Sequence, residues 1–119
     1  MKYLIASLLL INLLFATEHP IRVACVGNSI TYGGTIQTPY PQQLSALMGE
    51  GFDVRNYGVS GTTMLRNGDS PYWEYDAFSN ALAFDPDILI ILLGTNDSKP
   101  WNWVYGDEYY ADYAAMVDT

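Results

Sequence analysis

Apolar residues fall along this chain in blocks of two different periods, separated by polar stretches that carry glycine. Residues 21–27 (Ile-Arg-Val-Ala-Cys-Val-Gly) are β-rich and continuously apolar from Val23 to Val26. A short run without alternation predicts a strand buried on both faces. A polar stretch containing glycine follows to Pro39; Pro41 then suits the first turn of a helix. Leu44, Leu47 and Met48 repeat at helical spacing, and Gly49 or Gly51 ends the run. Residues 52–57 (Phe-Asp-Val-Arg-Asn-Tyr) alternate, which predicts a half-buried second strand. Residues 58–75 have no period, and Asn67-Gly68 marks a turn inside them. So long an irregular stretch within a compact domain is either functional or disordered. Ala77, Phe78, Ala81 and Leu82 predict a short helix closed by Asp85-Pro86-Asp87. Residues 88–93 (Ile-Leu-Ile-Ile-Leu-Leu) are the most apolar strand of the chain, and 98–106 read as a loop carrying Trp101 and Trp103. A last helix is expected from Asp107, with Tyr109, Tyr113 and Met116 on one stripe.

The order β-α-β-α-β-α predicts an α/β fold, a doubly wound parallel sheet with helices on both faces. The first residues are of another kind. After Met1-Lys2, residues 3–15 are apolar except for Ser7 and Asn12, and the small Ala16 and Thr17 follow. The run is too short to span a bilayer comfortably. It predicts a secretory signal peptide over 1–16 and a periplasmic or extracellular protein with no stable membrane anchor once cleaved. An N-terminal core strand or helix is the alternative reading.

Composition narrows the picture further. Half of the 119 residues are hydrophobic, which suits one small folded domain over 17–119. The net charge is −8, with 13 acidic residues against 5 basic ones and no basic run. Nucleic acid is thereby excluded as a partner, and the dispersed acids read as solvated surface. Cys25 is the single cysteine, so no intrachain disulfide forms; in an apolar strand it reads as core filler.

Three short blocks follow the three strands: Gly27-Asn28-Ser29-Ile30-Thr31, Asn56-Tyr57-Gly58-Val59-Ser60-Gly61 and Gly94-Thr95-Asn96-Asp97. Open α/β sheets bind ligands at the carboxyl ends of their strands. There Ser29 offers a hydroxyl, Gly58 a backbone N–H unobstructed by a side chain, and Asn96 a side-chain amide, while Asp97 can hold its loop together. Each block alone fits a plainer role: a serine capping a helix, a glycine turning the chain, an Asx turn. Thr31 stands where the nucleophile elbow of the α/β-hydrolases needs a second glycine. Asn96-Asp97-Ser98 also fits the glycosylation sequon, a short pattern of low specificity. Neither a Gly-x-Gly-x-x-Gly pattern nor a P-loop is found, which argues against a nucleotide binder. No His/Cys cluster or calcium-loop spacing is found, so no metal or cofactor is implied.

Together the blocks resemble the SGNH, or GDSL-type, hydrolase family over residues 21–119. The wording Tyr57-Gly58-Val59-Ser60-Gly61 and Leu93-Gly94-Thr95-Asn96-Asp97-Ser98 looks like the bacterial carbohydrate-esterase branch often called sialate O-acetylesterase-like. The resemblance implies a flavodoxin-like fold with the first strand central, the second on one side and the third on the other. It implies a serine esterase for acyl esters, O-acetyl groups on carbohydrates above all, that needs no cofactor. Ser29 would be the nucleophile; the N–H groups of Ser29 and Gly58 and the amide of Asn96 would form the oxyanion hole. Asn28 and Asp97 are counted with the substrate-binding residues. Trp73, Trp101 and Trp103 either form a platform for a sugar ring or seal loops onto the core.

The chain departs from the family pattern in two places. Asn28 replaces the aspartate of the usual Gly-Asp-Ser, and the block Asp-x-x-His is missing. His19, the single histidine, precedes the first strand and cannot serve as the base. The expectation is the N-terminal portion of a longer esterase domain, truncated after the third strand and the helix that follows, with that strand left as an exposed edge. Such a portion would be inactive alone. The alternative is a non-catalytic carbohydrate-binding relic of the same fold.

Overall fold

The computed structural model describes residues 19–35 and 37–119, so the leader expected over 1–16 lies outside the described residues. Three strands, β1 (Ile21–Gly27), β2 (Phe52–Gly58) and β3 (Ile88–Leu92), form one parallel sheet in the order β2-β1-β3. The helices are α1 (Ser29–Tyr32), α2 (Tyr40–Met48), α3 (Asp76–Ala83), α4 (Pro100–Trp103) and α5 (Tyr109–Val117). Single 3-10 turns lie at Tyr72–Glu74 and Gly106–Glu108. β1 takes the central place the family resemblance implies, and the burial its apolar run predicts is found: Val23, Ala24, Cys25 and Val26 are all buried. Among the described residues no helix is long and apolar enough to cross a membrane.

The core gathers where the sheet meets α3 and α5. Val26 packs with Met64, Tyr72, Ala81 and Met116. Tyr72, fully buried, donates its hydroxyl hydrogen to the Tyr57 carbonyl at 2.6 Å, so its one polar atom is satisfied. β3 stands at the edge, where Ile88, Leu89 and Leu92 remain 44%, 42% and 42% exposed.

Three local readings change. Ser29 does not cap α1: Asn28 does, its Oδ1 accepting the Ile30 N–H at 3.0 Å, and Ser29 becomes the first helical residue. The expected loop at 98–106 contains the helical turn α4, which opens on Pro100, and the 3-10 turn delays the last helix to Tyr109. The stretch after β2 is irregular yet tied down. A buried backbone must find partners for its N–H and C=O groups, and here many come from side chains of later elements. Asp97, at 0% exposure, accepts the Met64 N–H at 3.0 Å and the Leu65 N–H at 2.7 Å. Asp112 of α5 accepts the Arg66 N–H at 2.9 Å, and Asn102 of α4 accepts the Asp69 N–H at 2.8 Å. Thr63 pairs with the strand-like residue Pro71 through two backbone bonds of 2.9 Å on its own N–H and carbonyl.

Asp97→Asn keeps the shape of this clamp but sets an N–H donor against an N–H donor. The expected cost is about 2 kcal/mol, with roughly thirtyfold faster hydrogen exchange at the Met64 and Leu65 amides. Unchanged exchange at both amides would contradict the clamp.

Candidate active site

The site follows from register. Gly27 lies opposite Gly58 on one side and Leu92 on the other, so the three strands end level. Adjacent strands are about 4.8 Å apart. The residues that follow each end are thus crowded over one carboxyl edge. Ser29, two residues past Gly27, is exposed, and as the first residue of α1 its N–H has no helical acceptor.

Gly58 is glycine because α1 lies on the end of β2. A Cβ there would overlap the Tyr32 backbone nitrogen and stand 2.7 Å from Thr31 C and Tyr32 Cα. Its N–H donates to Asn56 Oδ1 at 2.9 Å, while Asn56 Nδ2 donates to the Thr31 carbonyl at 2.8 Å. Asn56 thus pins the end of β2 to the helix that carries Ser29. In the third block, Gly94 has φ of 129°, a conformation that glycine alone adopts without strain. Asn96 Nδ2 donates to the Thr62 carbonyl at 3.0 Å. That bond uses one N–H of the amide, and a planar amide carries two.

Two of the expected substrate-binding residues sit below the surface. Asn28 is 1% exposed; its Oδ1 caps α1, and its Nδ2 finds no protein acceptor among the described residues. Asp97 holds the 59–75 loop, as above, rather than its own, and neither oxygen faces out. The tryptophans divide. The Trp73 indole donates to the Met64 carbonyl at 2.7 Å, meets Phe78 in an edge contact and carries the Arg66 guanidinium 4.0 Å from its ring centroid, so it seals the loop. Trp101 and Trp103 are 59% and 52% exposed. Trp103 leans on Tyr109, and the Trp101 indole donates to Asp69 Oδ2 at 2.9 Å.

His19 is at the wrong end. It lines a cleft of about 750 Å³ with Arg22, Asp53, Arg55 and Asp87 at the amino-terminal edge of the sheet. A strand of seven residues separates that edge from Ser29, roughly 20 Å at the rise of an extended chain. Cys25 is fully buried, and burial raises its thiol pKa, as core filler requires.

The chain matches the GDSL-like lipase/acylhydrolase family over residues 25–119. It belongs to that family. It is also 52% identical, over 104 residues, to an acetylxylan esterase of Xylanibacter ruminicola; the match covers 84% of this chain and 22% of the relative's length. The family explains the order of the three blocks. It leaves unexplained a second set of residues that no motif marks, Thr62, Asp69 and Asn102, and the role of Asn56 at the start of the second block. Their only signal in the sequence is polarity beside a strand end or between exposed aromatics.

Two outcomes are expected. Gly58→Ala should cost about 3 kcal/mol or more, because the neighbours it meets are backbone atoms; thermal unfolding indistinguishable from the unsubstituted protein would refute the packing of α1 on β2. Asp69 titrates with a defined sign. The Trp101 indole and the Asn102 amide donate to its charged form and hold its carboxyl below the usual aspartate value of 3.8. The bonds are therefore in place above the unfolded value and are lost as pH falls through the lower, folded one. The indole N–H resonance of Trp101 should report this transition below pH 3.8 and lose it in Asp69→Asn; a midpoint above 3.8 would oppose the assignment.

Proposed function

We propose that these residues carry the nucleophile and oxyanion hole of a serine ester hydrolase that removes O-acetyl groups from a polysaccharide, xylan above all. The observation that carries the reading is the level end of three strands, Gly27 opposite both Gly58 and Leu92, which supports a common edge for the blocks of Ser29, Gly58 and Asn96. Family membership supports the acyl-ester chemistry, and the printed name of the Xylanibacter relative supports acetylxylan as its substrate. The apolar segment at 3–15 supports export, which suits a polymer too large to enter a cell.

In this reading Ser29 Oγ attacks the acetyl carbonyl and forms a tetrahedral oxyanion. The Ser29 N–H, the Gly58 N–H and the second N–H of Asn96 Nδ2 receive it. The Gly58 N–H already donates to the neutral Asn56 Oδ1. A full negative charge is the stronger acceptor, so the oxyanion competes for that hydrogen as charge develops. The proton of the attacking Ser29 hydroxyl must pass to a base, and His19 is an edge away. The base therefore comes from outside the described residues, and the 119-residue chain alone turns over little ester. Trp101 and Trp103 offer aromatic faces beside the Asn96 turn for a sugar ring.

The test is hydrolysis of an acetylated xylo-oligosaccharide. In the full-length protein, Ser29→Ala is expected to lower kcat on the order of 10⁴-fold or more. Asn96→Ala should lower it about 10²–10³-fold with little change in KM. In the isolated chain Ser29→Ala should change little; a hundredfold drop there would mean that a base is at hand, from this chain or a second copy. Binding of the sugar without any Ser29-dependent hydrolysis in the full-length protein would replace this reading with the non-catalytic carbohydrate-binding one.

A further inference from the structure

We propose that Asn102 is a positioning residue for the oxyanion donor Asn96; the role rests on the ester-hydrolase reading above. Asn102 is 1% exposed, in the single turn of α4 between two exposed tryptophans. Its Nδ2 donates to the Asn96 carbonyl at 2.9 Å and to Asp69 Oδ1 at 2.9 Å, and its Oδ1 accepts the Asp69 N–H at 2.8 Å. Both N–H groups and the oxygen of the amide are in use. A buried amide is costly unless its bonds are complete, and an apolar side chain of similar size would fill the same space without that demand. What the amide adds is a hold on Asn96 and on Asp69.

Asn96 is fixed from two sides. Asn102 takes its backbone carbonyl, and the Thr62 carbonyl takes one of its side-chain N–H groups at 3.0 Å. An amide is planar, so fixing the backbone and one N–H also fixes the direction of the other. That second N–H is the one available to an oxyanion. Asp69 extends the brace: its second oxygen takes the Trp101 indole at 2.9 Å, tying the loop after β2 to the turn after β3. Without Asn102 the Asn96 carbonyl would keep the weaker 3.3 Å bond from the Lys99 N–H. A shift of about 1 Å in a group that stabilises the transition state costs up to roughly 10²-fold in rate.

The experiment is a double-substitution cycle in the full-length protein, with Ser29→Ala as the control for the ester-hydrolase reading. Asn102→Ala is expected to lower kcat at least about tenfold with KM within about twofold, because the Asn96 contact forms in the transition state. In an Asn96→Ala background the same change should add less than about threefold, because the residue it acts through is gone. Equal losses in both backgrounds, or a loss confined to KM, would overturn the proposal. Asn102→Asp keeps the size and the bond from the Asp69 N–H and removes both donors, so it stands in where the alanine variant does not fold. A further measurement needs neither substitution nor activity. Nitrogen relaxation of the Asn96 side-chain amide in the unsubstituted protein should match the rigid backbone, and nanosecond disorder there would sink the idea. Hydrolysis that survives Ser29→Ala would defeat the esterase reading, and the relaxation result would then judge the brace by itself.

Discussion

Asp97 is buried where no water reaches it, and the amides that satisfy it belong to a different connection of the sheet. Met64 and Leu65 lie in the loop after β2, Asp97 in the turn after β3. A carboxylate at 0% exposure without donors would be untenable in a domain of this size. The two connections therefore order each other. Once the loop is held at Met64 and Leu65, the Thr62 carbonyl stands in reach of Asn96, and Trp73 in reach of the Met64 carbonyl. Position at the candidate site is thus set by a bond whose own atoms face away from it.

The other half of the site is set by close approach. β1 ends on Gly27 and β2 on Gly58, and both glycines leave room for α1 to fold back over the strand ends. That brings Ser29 onto the carboxyl edge on a turn too short to have stability of its own. Asn28 caps it from beneath, and Asn56 joins it to β2. Gly58 and Asn96 each keep a neutral partner while the site is empty, Asn56 Oδ1 and the Thr62 carbonyl. Under the ester-hydrolase reading the Thr62 bond orients the second Asn96 N–H in advance, whereas the single Gly58 N–H must be drawn from Asn56 Oδ1 toward the oxyanion.

What could be read in the chain beforehand follows from how local each signal is. The three strands and the helices at 40–48 and 76–83 carry their own period, whereas the register that levels the strand ends carries no local signal. The order β2-β1-β3 came with the family resemblance, not with periodicity. The 59–75 stretch was opaque because its order comes from Asp97, Asn102 and Asp112, each more than 30 residues away. Asp97 was read as a bolt for its own loop and is a bolt for another. Asn28, expected among the substrate-binding residues, takes the cap that the plainer reading gave to Ser29, because both types cap helices and only the fold decides which of two neighbours does so. Trp73 could not be told from Trp101 and Trp103, since three indoles in loops look alike until Arg66 and Phe78 close on one of them.

Two unmet demands converge on the β3 side of the sheet. A strand as apolar as Ile88–Leu92 is built for cover on its faces and for pairing at its edge. Its residues Ile88, Leu89 and Leu92 lie close to half exposed. The carboxyl end of the same strand leads into the Asn96 turn, beside which the ester-hydrolase reading requires a proton acceptor for Ser29. The amino edge cannot supply one: Arg22 is engaged there with Asp85 and Asp87, and His19 is a strand's length from the hydroxyl. On the β2 side α1 packs against the Gly58 Cα and is tied to Asn56 through the Thr31 carbonyl. Under the ester-hydrolase reading, a base for Ser29 is then expected over the β3 side, where cover of the apolar edge and supply of a proton acceptor would coincide.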